Sequence, residues 1–181
     1  MANSHADSLL ALGQDLVAAS VLRAEFVLRS GQTSSYYIDK YLFTTRPDIL
    51  RRVAAALVAH VPAETQRLAG PVLGAVPLVA ALGLATNLPY VIVRTEQPKE
   101  YGTARAIEGQ LEPGDRVVLV EDVVTTGGAA LAALRQLRQA GADVLRVLAV
   151  VDRQQGGAEA FAGEGLAYQP LFTRDQLGLE L

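Results

Sequence analysis

Residues 117–128 read VVLVEDVVTTGG, and this stretch decides the fold class. Its four leading residues are apolar and mostly β-branched, which predicts a buried strand. Two adjacent acids, Glu121 and Asp122, follow, and a Thr-Thr-Gly-Gly turn then leads into residues 129–140, which are apolar at helical spacing. Strands that alternate with helices in this way are typical of a parallel sheet. The stretch therefore predicts an α/β fold.

The same rhythm of strand, loop and helix extends outward from this stretch. Residues 88–93 and 144–151 are continuous apolar runs, which are typical of strands buried on both faces. We therefore expect a central, mainly parallel sheet flanked by helices, in a single domain of residues 1–181. Residues 94–109 carry charge without periodicity and are expected to form a long loop. The predicted helices are 8–20, 47–60, 77–85 and 129–140, and the predicted strands are 36–39, 66–69, 88–93, 116–120 and 144–151.

The overall composition excludes several classes of protein. The chain has 181 residues, of which 50% are hydrophobic and 19% are charged, so it can bury a core and is not a disordered linker. Its formal net charge of −3 leaves no basic field of the kind that nonspecific nucleic-acid binding needs. The absence of cysteine excludes disulfides and thiol catalysis. The two histidines, His5 and His60, are too few and too far apart for a zinc cluster.

No targeting or membrane-spanning pattern is visible in the sequence. The start of the chain lacks both a basic stretch and a continuous apolar core, so we expect no secretory signal. No apolar run reaches the roughly 18–20 residues that a membrane helix requires. Together with the missing cysteines, these features predict a cytoplasmic protein that binds neither nucleic acid nor membrane.

The polar residues at the strand ends predict a site for a phosphorylated sugar. In open parallel sheets, ligands bind beyond the carboxyl ends of the strands, which here means after residues 69, 93 and 120. Glycines let the backbone approach a ligand, threonine hydroxyls add donors, and the free amides at a helix start attract a phosphate. Adjacent carboxylates would repel that phosphate unless they bind sugar hydroxyls or a divalent cation lies between. The combination therefore predicts recognition of phosphate and sugar at one edge of the sheet.

Residues 117–128 resemble the phosphoribosyl-pyrophosphate (PRPP) signature of the type I phosphoribosyltransferases, in which a hydrophobic strand precedes two acids, two hydrophobic residues and Thr-Thr-Gly-Gly. The resemblance implies the fold of that family, with a small N-terminal hood region over about residues 1–45. It also implies that Glu121 and Asp122 contact the ribose hydroxyls and that residues 125–129 hold the 5′-phosphate. The implied PRPP-binding residues are Glu121, Asp122, Val124, Thr125, Thr126, Gly127, Gly128, Ala129, Arg94, Lys99 and Tyr101.

Three further segments resemble the orotate phosphoribosyltransferases within this family. Residues 28–39 (LRSGQTSSYYID) are similar to their N-terminal motif, residues 150–154 (VVDRQ) to their Val-Asp-Arg-Gln segment, and residues 70–77 (GPVLGAVP) to their pyrophosphate loop. Orotate is a planar anion, so aromatic rings and guanidinium groups suit it. The tyrosines are equally open to a core role, because alternate strand residues often belong to the core. The implied orotate-binding residues are Arg29, Tyr36, Tyr37, Thr125 and Arg153, and the implied pyrophosphate loop contains Val72, Leu73 and Gly74.

Residues 94–103 (RTEQPKEYGT) resemble the mobile catalytic loop of the family, which usually begins with Arg-Lys and ends with His-Gly. Thr95 stands in place of the lysine, one extra residue precedes Lys99, and Tyr101 stands where histidine is frequent. A lysine in a loop that closes over the site would neutralise the leaving group and exclude water. The catalytic residues that the resemblance implies are Lys99, Arg94 and Asp122.

The implied reaction transfers the phosphoribosyl group from PRPP to orotate and yields orotidine 5′-monophosphate and pyrophosphate. The resemblance implies Mg²⁺ as cofactor, held mainly by PRPP near Glu121 and Asp122, and a homodimer with a shared active site. Two alternatives stay open. A phosphoribosyltransferase for another base, such as a purine, would carry the same PRPP signature. A non-catalytic PRPP-sensing regulator is compatible with the altered residues 94–102.

Overall fold

The computed structural model describes residues 2–27, 33–94 and 105–179, with side chains from Asp7 onward. These residues form six helices and eight strands. The helices are α1 (Ala2–Ser20), α2 (Lys40–Thr44), α3 (Pro47–Val58), α4 (Val76–Thr86), α5 (Gly128–Gln139) and α6 (Gly157–Gly163). The strands are β1 (Val21–Val27), β2 (Thr33–Ile38), β3 (Arg67–Pro71), β4 (Tyr90–Val93), β5 (Ile107–Glu108), β6 (Arg116–Val124), β7 (Asp143–Asp152) and β8 (Ala167–Thr173).

The main sheet has six strands in the order β5-β4-β3-β6-β7-β8. Strands β4, β3, β6, β7 and β8 are parallel neighbours, and the short strand β5 pairs antiparallel with β4 at the edge. Because β3 and β6 lie side by side at the centre, the loops that follow them meet at the same edge of the sheet. The sheet confirms the prediction of a mainly parallel α/β fold.

Helices cover both faces of this sheet, which explains why its strands read as continuous apolar runs. On one face, Val118 of β6 belongs to a buried cluster with Leu57 of α3 and Leu78 of α4. On the other face, Leu119 of the same strand belongs to a second cluster with Leu134 of α5. Full burial of each such side chain stabilises the fold by roughly 1.5–3 kcal/mol. The alternating strand residues thus hold two helical layers on one rigid sheet.

The antiparallel hairpin of β1 and β2 forms a separate small sheet but shares the main core. Strand β2 alternates between exposed and buried residues, and its buried Tyr36 and Ile38 join the cluster that contains residues of β6 and β7. The backbone N–H of Asp39 donates to the carbonyl of Ser20 at 2.9 Å, which ties the end of the hairpin to α1. This packing places Lys40, the next residue, against the main sheet.

The structure differs from the sequence prediction mainly at the ends of elements. Strand β6 continues through Val124, so Glu121 and Asp122 lie inside the strand rather than after it. The predicted loop of residues 94–109 contains β5, because this segment pairs with β4 at the edge of the sheet. The sequence pattern does not predict α2, α6, β1 or β8. The two helices have only five and seven residues, and β8 carries Pro170, which an edge strand tolerates.

Long apolar helices are absent from the part of the chain that the structure describes. No helix there is long and apolar enough to cross a membrane.

Candidate active site

The central strands bring the predicted pyrophosphate loop directly onto the acid pair. Strand β3 ends at Pro71, and residues 72–75 turn into α4 beside Asp122 of β6. A Cβ atom at Gly74 would overlap Oδ2 of Asp122 and would lie 2.8 Å from both Cδ and Cε of Lys40. The loop can therefore approach the acid this closely only with glycine at this position. Two of the three predicted ligand-binding segments thus meet.

Backbone hydrogen bonds hold the rest of this loop. The N–H of Val72 donates to the carbonyl of Val93 on β4 at 2.9 Å, and the N–H of Val76 donates to the carbonyl of Leu73 at 3.2 Å. Leu73 itself is 64% exposed. Residues 72–75 are Val, Leu, Gly and Ala, so the loop carries no charged side chain. A cation for a pyrophosphate bound here must come from another element.

The two acids of β6 are both buried but are not equivalent. Asp122 forms an ion pair with Nζ of Lys40 at 3.1 Å. Burial, followed by the charge of Asp122, raises the pKa of Glu121 well above its ordinary value, and Lys40 offsets this only in part. Burial also opposes the charge on Lys40, but Asp122 and Glu121 outweigh it and leave the pKa of Lys40 raised. Asp122 is therefore paired with a cation, whereas the surroundings of Glu121 oppose the ionisation of Glu121.

The turn between β6 and α5 combines a left-handed glycine with an exposed helix start. Gly127 adopts a left-handed backbone with φ 79°, which a side chain would strain. Its carbonyl accepts the N–H of Leu131 at 2.9 Å, so the first turn of α5 begins directly after it. The first amides of a helix have no partner within the helix and carry the positive end of its dipole. Ligands can reach this turn, because Thr126, Gly128 and Ala129 are exposed.

Helix α6 supports this turn from within the protein. A Cβ atom at Gly157 would overlap Cγ1 of Val124 and would lie 3.0 Å from the carbonyl oxygen of Thr125. A Cβ atom at Gly127 would lie 3.1 Å from the Phe161 ring. The first turn of α6 therefore packs tightly against the turn and fixes the position of its backbone. The sequence pattern does not reveal this contact, because α6 is too short to show periodicity.

Arg153 lies just beyond the end of β7 and is almost entirely buried, with 6% exposure. Its backbone N–H donates to the carbonyl of Val124 at 2.8 Å, which joins it to the turn between β6 and α5. Its guanidinium carbon lies 5.1 Å from the centre of the Tyr36 ring. Its Nε and Nη2 atoms have no hydrogen-bond partner among the described residues. Because unpaired buried donors are costly, these atoms leave room for an acceptor that a ligand or water supplies.

The two tyrosines of β2 lie on opposite faces of the strand. Tyr36 is 1% exposed and packs against Arg153. Its hydroxyl, too, has no partner within the described part of the chain. Tyr37 is 42% exposed and packs against Phe26 of β1, with ring centres 5.6 Å apart. The structure therefore brings Tyr36, but not Tyr37, to the buried arginine.

Arg94 follows β4 on the other side of the site. Its Nε donates to Oε1 of Glu108 at 3.0 Å, and its carbonyl accepts a hydrogen bond from Nε2 of Gln136 at 2.7 Å. Its N–H also donates to the carbonyl of Ala106 at 2.8 Å. These contacts fix the backbone at the point where β4 ends. The predicted site residues that lie outside the described residues are Arg29, Lys99 and Tyr101.

Lys40 is a residue of this site that the motifs do not assign. It is the first residue of α2, where the side chain of Asp39 caps the helix by accepting the N–H of Tyr41 at 3.0 Å. One signal was available, because Lys40 and Lys99 are the only lysines among 16 basic residues. Its contact with Asp122 depends on how the hairpin packs, which no local pattern reports.

A second cavity, of about 540 Å³, lies between α1 and the C-terminal part of the chain. Its lining is mainly apolar and includes Leu9, Val17, Phe172 and Leu177, without an acidic or basic residue. Recognition of a phosphorylated sugar needs charged and polar groups, so this cavity is unsuited to that ligand. The charged and polar groups that suit such a ligand therefore lie at the ends of β3, β6 and β7.

Comparisons with known proteins place this geometry in context. The chain matches the family model described as phosphoribosyl transferase domain over residues 44–162. It is 49% identical over 168 residues to the orotate phosphoribosyltransferase of Halobacterium salinarum, and the match covers 90% of this chain and 95% of that protein. It is 47% identical over 155 residues to the orotate phosphoribosyltransferase of Pyrococcus furiosus, with coverage of 84% and 85%.

Solved structures give the same picture. The orotate phosphoribosyltransferase of Mycobacterium tuberculosis in complex with PRPP matches with a TM-score of 0.79 at 32% identity, covering 95% of this chain and 99% of that chain. The enzyme of the same name from Aeropyrum pernix matches with a TM-score of 0.81 at 30% identity, covering 92% and 95%. An adenine phosphoribosyltransferase from Leishmania donovani shares the fold, with a TM-score of 0.71 at 19% identity, covering 92% and 81%.

Proposed function

This chain belongs to the phosphoribosyl transferase family and, within it, to the orotate phosphoribosyltransferases, and on that premise we propose that it transfers the phosphoribosyl group of PRPP to orotate. The products are orotidine 5′-monophosphate and pyrophosphate, and the reaction is a step of pyrimidine biosynthesis. The observation that carries this proposal in the structure is the buried guanidinium of Arg153, whose Nε and Nη2 atoms lack partners among the described residues.

The base site lies around Arg153. A carboxylate or ring carbonyl of orotate supplies the acceptors that Nε and Nη2 lack, and charge-assisted hydrogen bonds of this kind are strong. The Tyr36 ring packs against one side of the guanidinium. The backbone of Arg153 is hydrogen-bonded to Val124, the last residue of β6, so the turn after β6 lies next to the base site. The proposed orotate-binding residues are Arg29, Tyr36, Thr125 and Arg153, and Tyr37, which lies on the other face of β2, stays a prediction of the sequence.

The ribose phosphate lies along the end of β6 and the start of α5. The turn of residues 125–127 and the first amides of α5 bind the 5′-phosphate, because they combine free donors with the positive end of the helix dipole. Glu121 and Asp122 accept hydrogen bonds from the ribose hydroxyls, and such donors favour the ionised form of Glu121. Residues 72–74 pack beside Asp122 and receive the pyrophosphate.

The acid pair also suits a magnesium ion that enters with PRPP. Carboxylate oxygens are the protein ligands that Mg²⁺ prefers, and it is usually held by one or two of them together with substrate phosphates. No group of three His, Asp or Glu side chains within the described ranges is placed to hold a metal. When bound, the ion neutralises charge on the pyrophosphate. We propose that PRPP holds it mainly, near Glu121 and Asp122.

The chemical difficulty is the departure of pyrophosphate from the anomeric carbon, which leaves oxocarbenium-like charge on the ribose. A bond from a ring nitrogen of orotate to this carbon forms as the bond to the pyrophosphate oxygen breaks, and the proton of that nitrogen passes to the pyrophosphate or to water. The protein contributes by aligning the two reactants and by placing cations where negative charge develops. We propose that Arg94 and Lys99 supply such cations, with Asp122 orienting the ribose, and that Tyr101 contacts PRPP.

The remaining features of the proposal concern the whole chain. The chain acts as one domain, in which residues 1–45 complete the base site, and this is supported by the packing of Tyr36 into the main core. It forms a homodimer in the cytoplasm, with each subunit contributing to its neighbour's site.

Competition between orotate and uracil tests the base site directly. Uracil has the same ring but lacks the carboxylate, so it leaves the donors of Arg153 partly unpaired. A site built around a charged hydrogen-bond partner rejects an analogue that lacks it, and we expect kcat/KM for orotate to exceed that for uracil by about 100-fold or more. Equal use of both pyrimidines would contradict the assignment of Arg153 to the carboxylate.

A further inference from the structure

The proposed pyrophosphate loop lacks a cation of its own. Residues 72–75 are uncharged, yet the group that they receive is strongly anionic and gains further charge as it leaves the ribose. Preorganised cations at such a point are a major source of catalysis. Apart from the Mg²⁺ that enters with PRPP, a cation beside this loop has to come from another element of the fold.

Lys40 of α2 is placed to do this. Its Cδ and Cε atoms cover the backbone of Gly74, within 2.8 Å of the position that a Cβ atom would take. Its Nζ lies 3.1 Å from Oδ2 of Asp122. The side chain thus crosses the loop and ends between the loop and the acid pair. We propose that Lys40 binds the pyrophosphate of PRPP, an inference that rests on the proposed function.

The surroundings of Lys40 leave it free to bind a ligand. Its side chain is 36% exposed, whereas that of Asp122 is 3% exposed, so part of the lysine side chain stays open to solvent. An ammonium has three donors, and the ion pair with Asp122 uses one of them. Asp122 and Glu121 also keep the group charged, because they raise its pKa against the effect of burial. Asp122 thereby holds Lys40 in place, and two donors of the ammonium remain for a ligand.

The glycine at position 74 is what allows this arrangement. A side chain there would displace both the Asp122 carboxylate and the aliphatic part of Lys40. The loop therefore leaves room for a lysine that arrives from α2. Because negative charge builds up on the leaving group as its bond to the ribose breaks, Lys40 acts on kcat as well as on PRPP binding.

The test measures binding of two fragments of PRPP by calorimetry. Inorganic pyrophosphate with Mg²⁺ reports the pyrophosphate subsite, and ribose 5-phosphate reports the acid pair and the phosphate-binding turn. The variant is Lys40→Met, which keeps the aliphatic length but removes the charge. Arg46→Met is the matched control, since Arg46 precedes the next helix in the same segment and pairs only with the exposed Asp48 in the contacts described.

We expect Lys40→Met to weaken pyrophosphate binding by about tenfold or more while ribose 5-phosphate affinity changes less than about twofold. Arg46→Met should leave both unchanged. A loss confined to ribose 5-phosphate would overturn the proposal and make Lys40 a positioning residue for Asp122. No loss for either fragment would also overturn it. Neither fragment involves orotate, so these results are independent of whether the wild-type protein turns over orotate.

Circular dichroism checks whether Lys40→Met is folded. If it is not, the same two binding measurements are made on Lys40→Arg. This variant keeps the charge and its pairing with Asp122. Pyrophosphate affinity within about threefold of wild type, combined with a folded protein, supports a role for the cation. A folded Lys40→Arg protein that has lost pyrophosphate affinity but keeps that for ribose 5-phosphate would overturn the proposal, because the retained cation would then not bind the pyrophosphate. Loss of both affinities in a folded Lys40→Arg protein would overturn the proposal.

Discussion

At the scale of single residues, the site contains buried charged groups that do not stabilise the ligand-free protein but are suited to binding a ligand. Arg153 is buried with two guanidinium nitrogens unpartnered in the described structure, and Glu121 is buried beside another carboxylate. Neither arrangement improves the stability of the chain by itself, because buried charges are costly when they lack a partner. Both make sense when a ligand brings an acceptor for Arg153 and hydroxyl donors for Glu121.

Replacement of Arg153 should affect the KM of orotate and the KM of PRPP to different extents. Arg153→Ala should raise the KM of orotate about tenfold or more and change the KM of PRPP much less, because a charged hydrogen-bond partner is typically worth about 1.5–3 kcal/mol. Steady-state kinetics with each substrate varied in turn measures this. Arg146→Ala is the control on the same strand, since its guanidinium donates to the His60 carbonyl at 3.1 Å. An unchanged orotate KM in Arg153→Ala would make that residue purely structural.

Glu121→Gln should affect stability and binding in opposite directions. Removing a buried carboxyl whose ionisation is opposed should stabilise the ligand-free protein near neutral pH by about 1 kcal/mol. The same change should weaken PRPP binding, because an amide is a poorer acceptor for ribose hydroxyls. Thermal unfolding and calorimetry measure the two effects. Asp122→Asn is the contrast, because it breaks the ion pair with Lys40 and brings no gain in stability. Destabilisation by Glu121→Gln would contradict this account.

At the scale of elements, the sequence pattern predicts local motifs but does not predict contacts between distant segments. Residues 117–128 contain a strand end, a turn and a helix start in one continuous piece, so the sequence pattern predicts where this turn lies. Its binding of phosphate stays a prediction. Arg153 was predicted because it ends a long apolar strand. The contact of Lys40 with Asp122 and that of Gly157 with Val124 join segments far apart in the chain. Such contacts arise from tertiary packing, which periodicity and spacing do not report.

Gly157 tests whether α6 positions the phosphate-binding turn. Gly157→Ala places a methyl group against Val124 and Thr125, so the turn must shift. We expect the KM of PRPP to rise about tenfold and stability to fall by about 1–3 kcal/mol. Gly163→Ala is the matched control at the other end of α6, because a Cβ atom there meets nothing within 4 Å. Wild-type kinetics in Gly157→Ala would mean that the turn does not depend on this support.

At the scale of the whole molecule, the sheet order explains why the site forms where it does. Strands β3, β6 and β7 are neighbours, so the loop after β3, the acids of β6 and the arginine after β7 converge without long connections. The hairpin then adds Tyr36 and Lys40 from the N-terminal segment. The general rule for open parallel sheets predicted the edge but not this added layer, whose placement follows from a shared core.

The proposed dimer with shared sites leads to a prediction about mixed subunits. Lys99→Ala and Asp122→Ala should each be nearly inactive alone. If Lys99 serves the neighbouring subunit, a hybrid dimer of the two variants keeps one intact site, and an equal mixture should recover about a quarter of wild-type activity. Native mass spectrometry confirms that subunits exchange. No recovery despite exchange would contradict a shared site.

The central claim is that this chain moves phosphoribosyl from PRPP to orotate, and one measurement tests it most directly. Purified protein is incubated with PRPP and Mg²⁺ and with orotate, adenine, hypoxanthine or guanine in separate reactions, and nucleotide and pyrophosphate are quantified in each. We predict that orotate yields orotidine 5′-monophosphate and pyrophosphate in equal amounts, and that the purines yield no nucleotide. Formation of a purine nucleotide with none from orotate would contradict the account, as would binding of PRPP without turnover of any base.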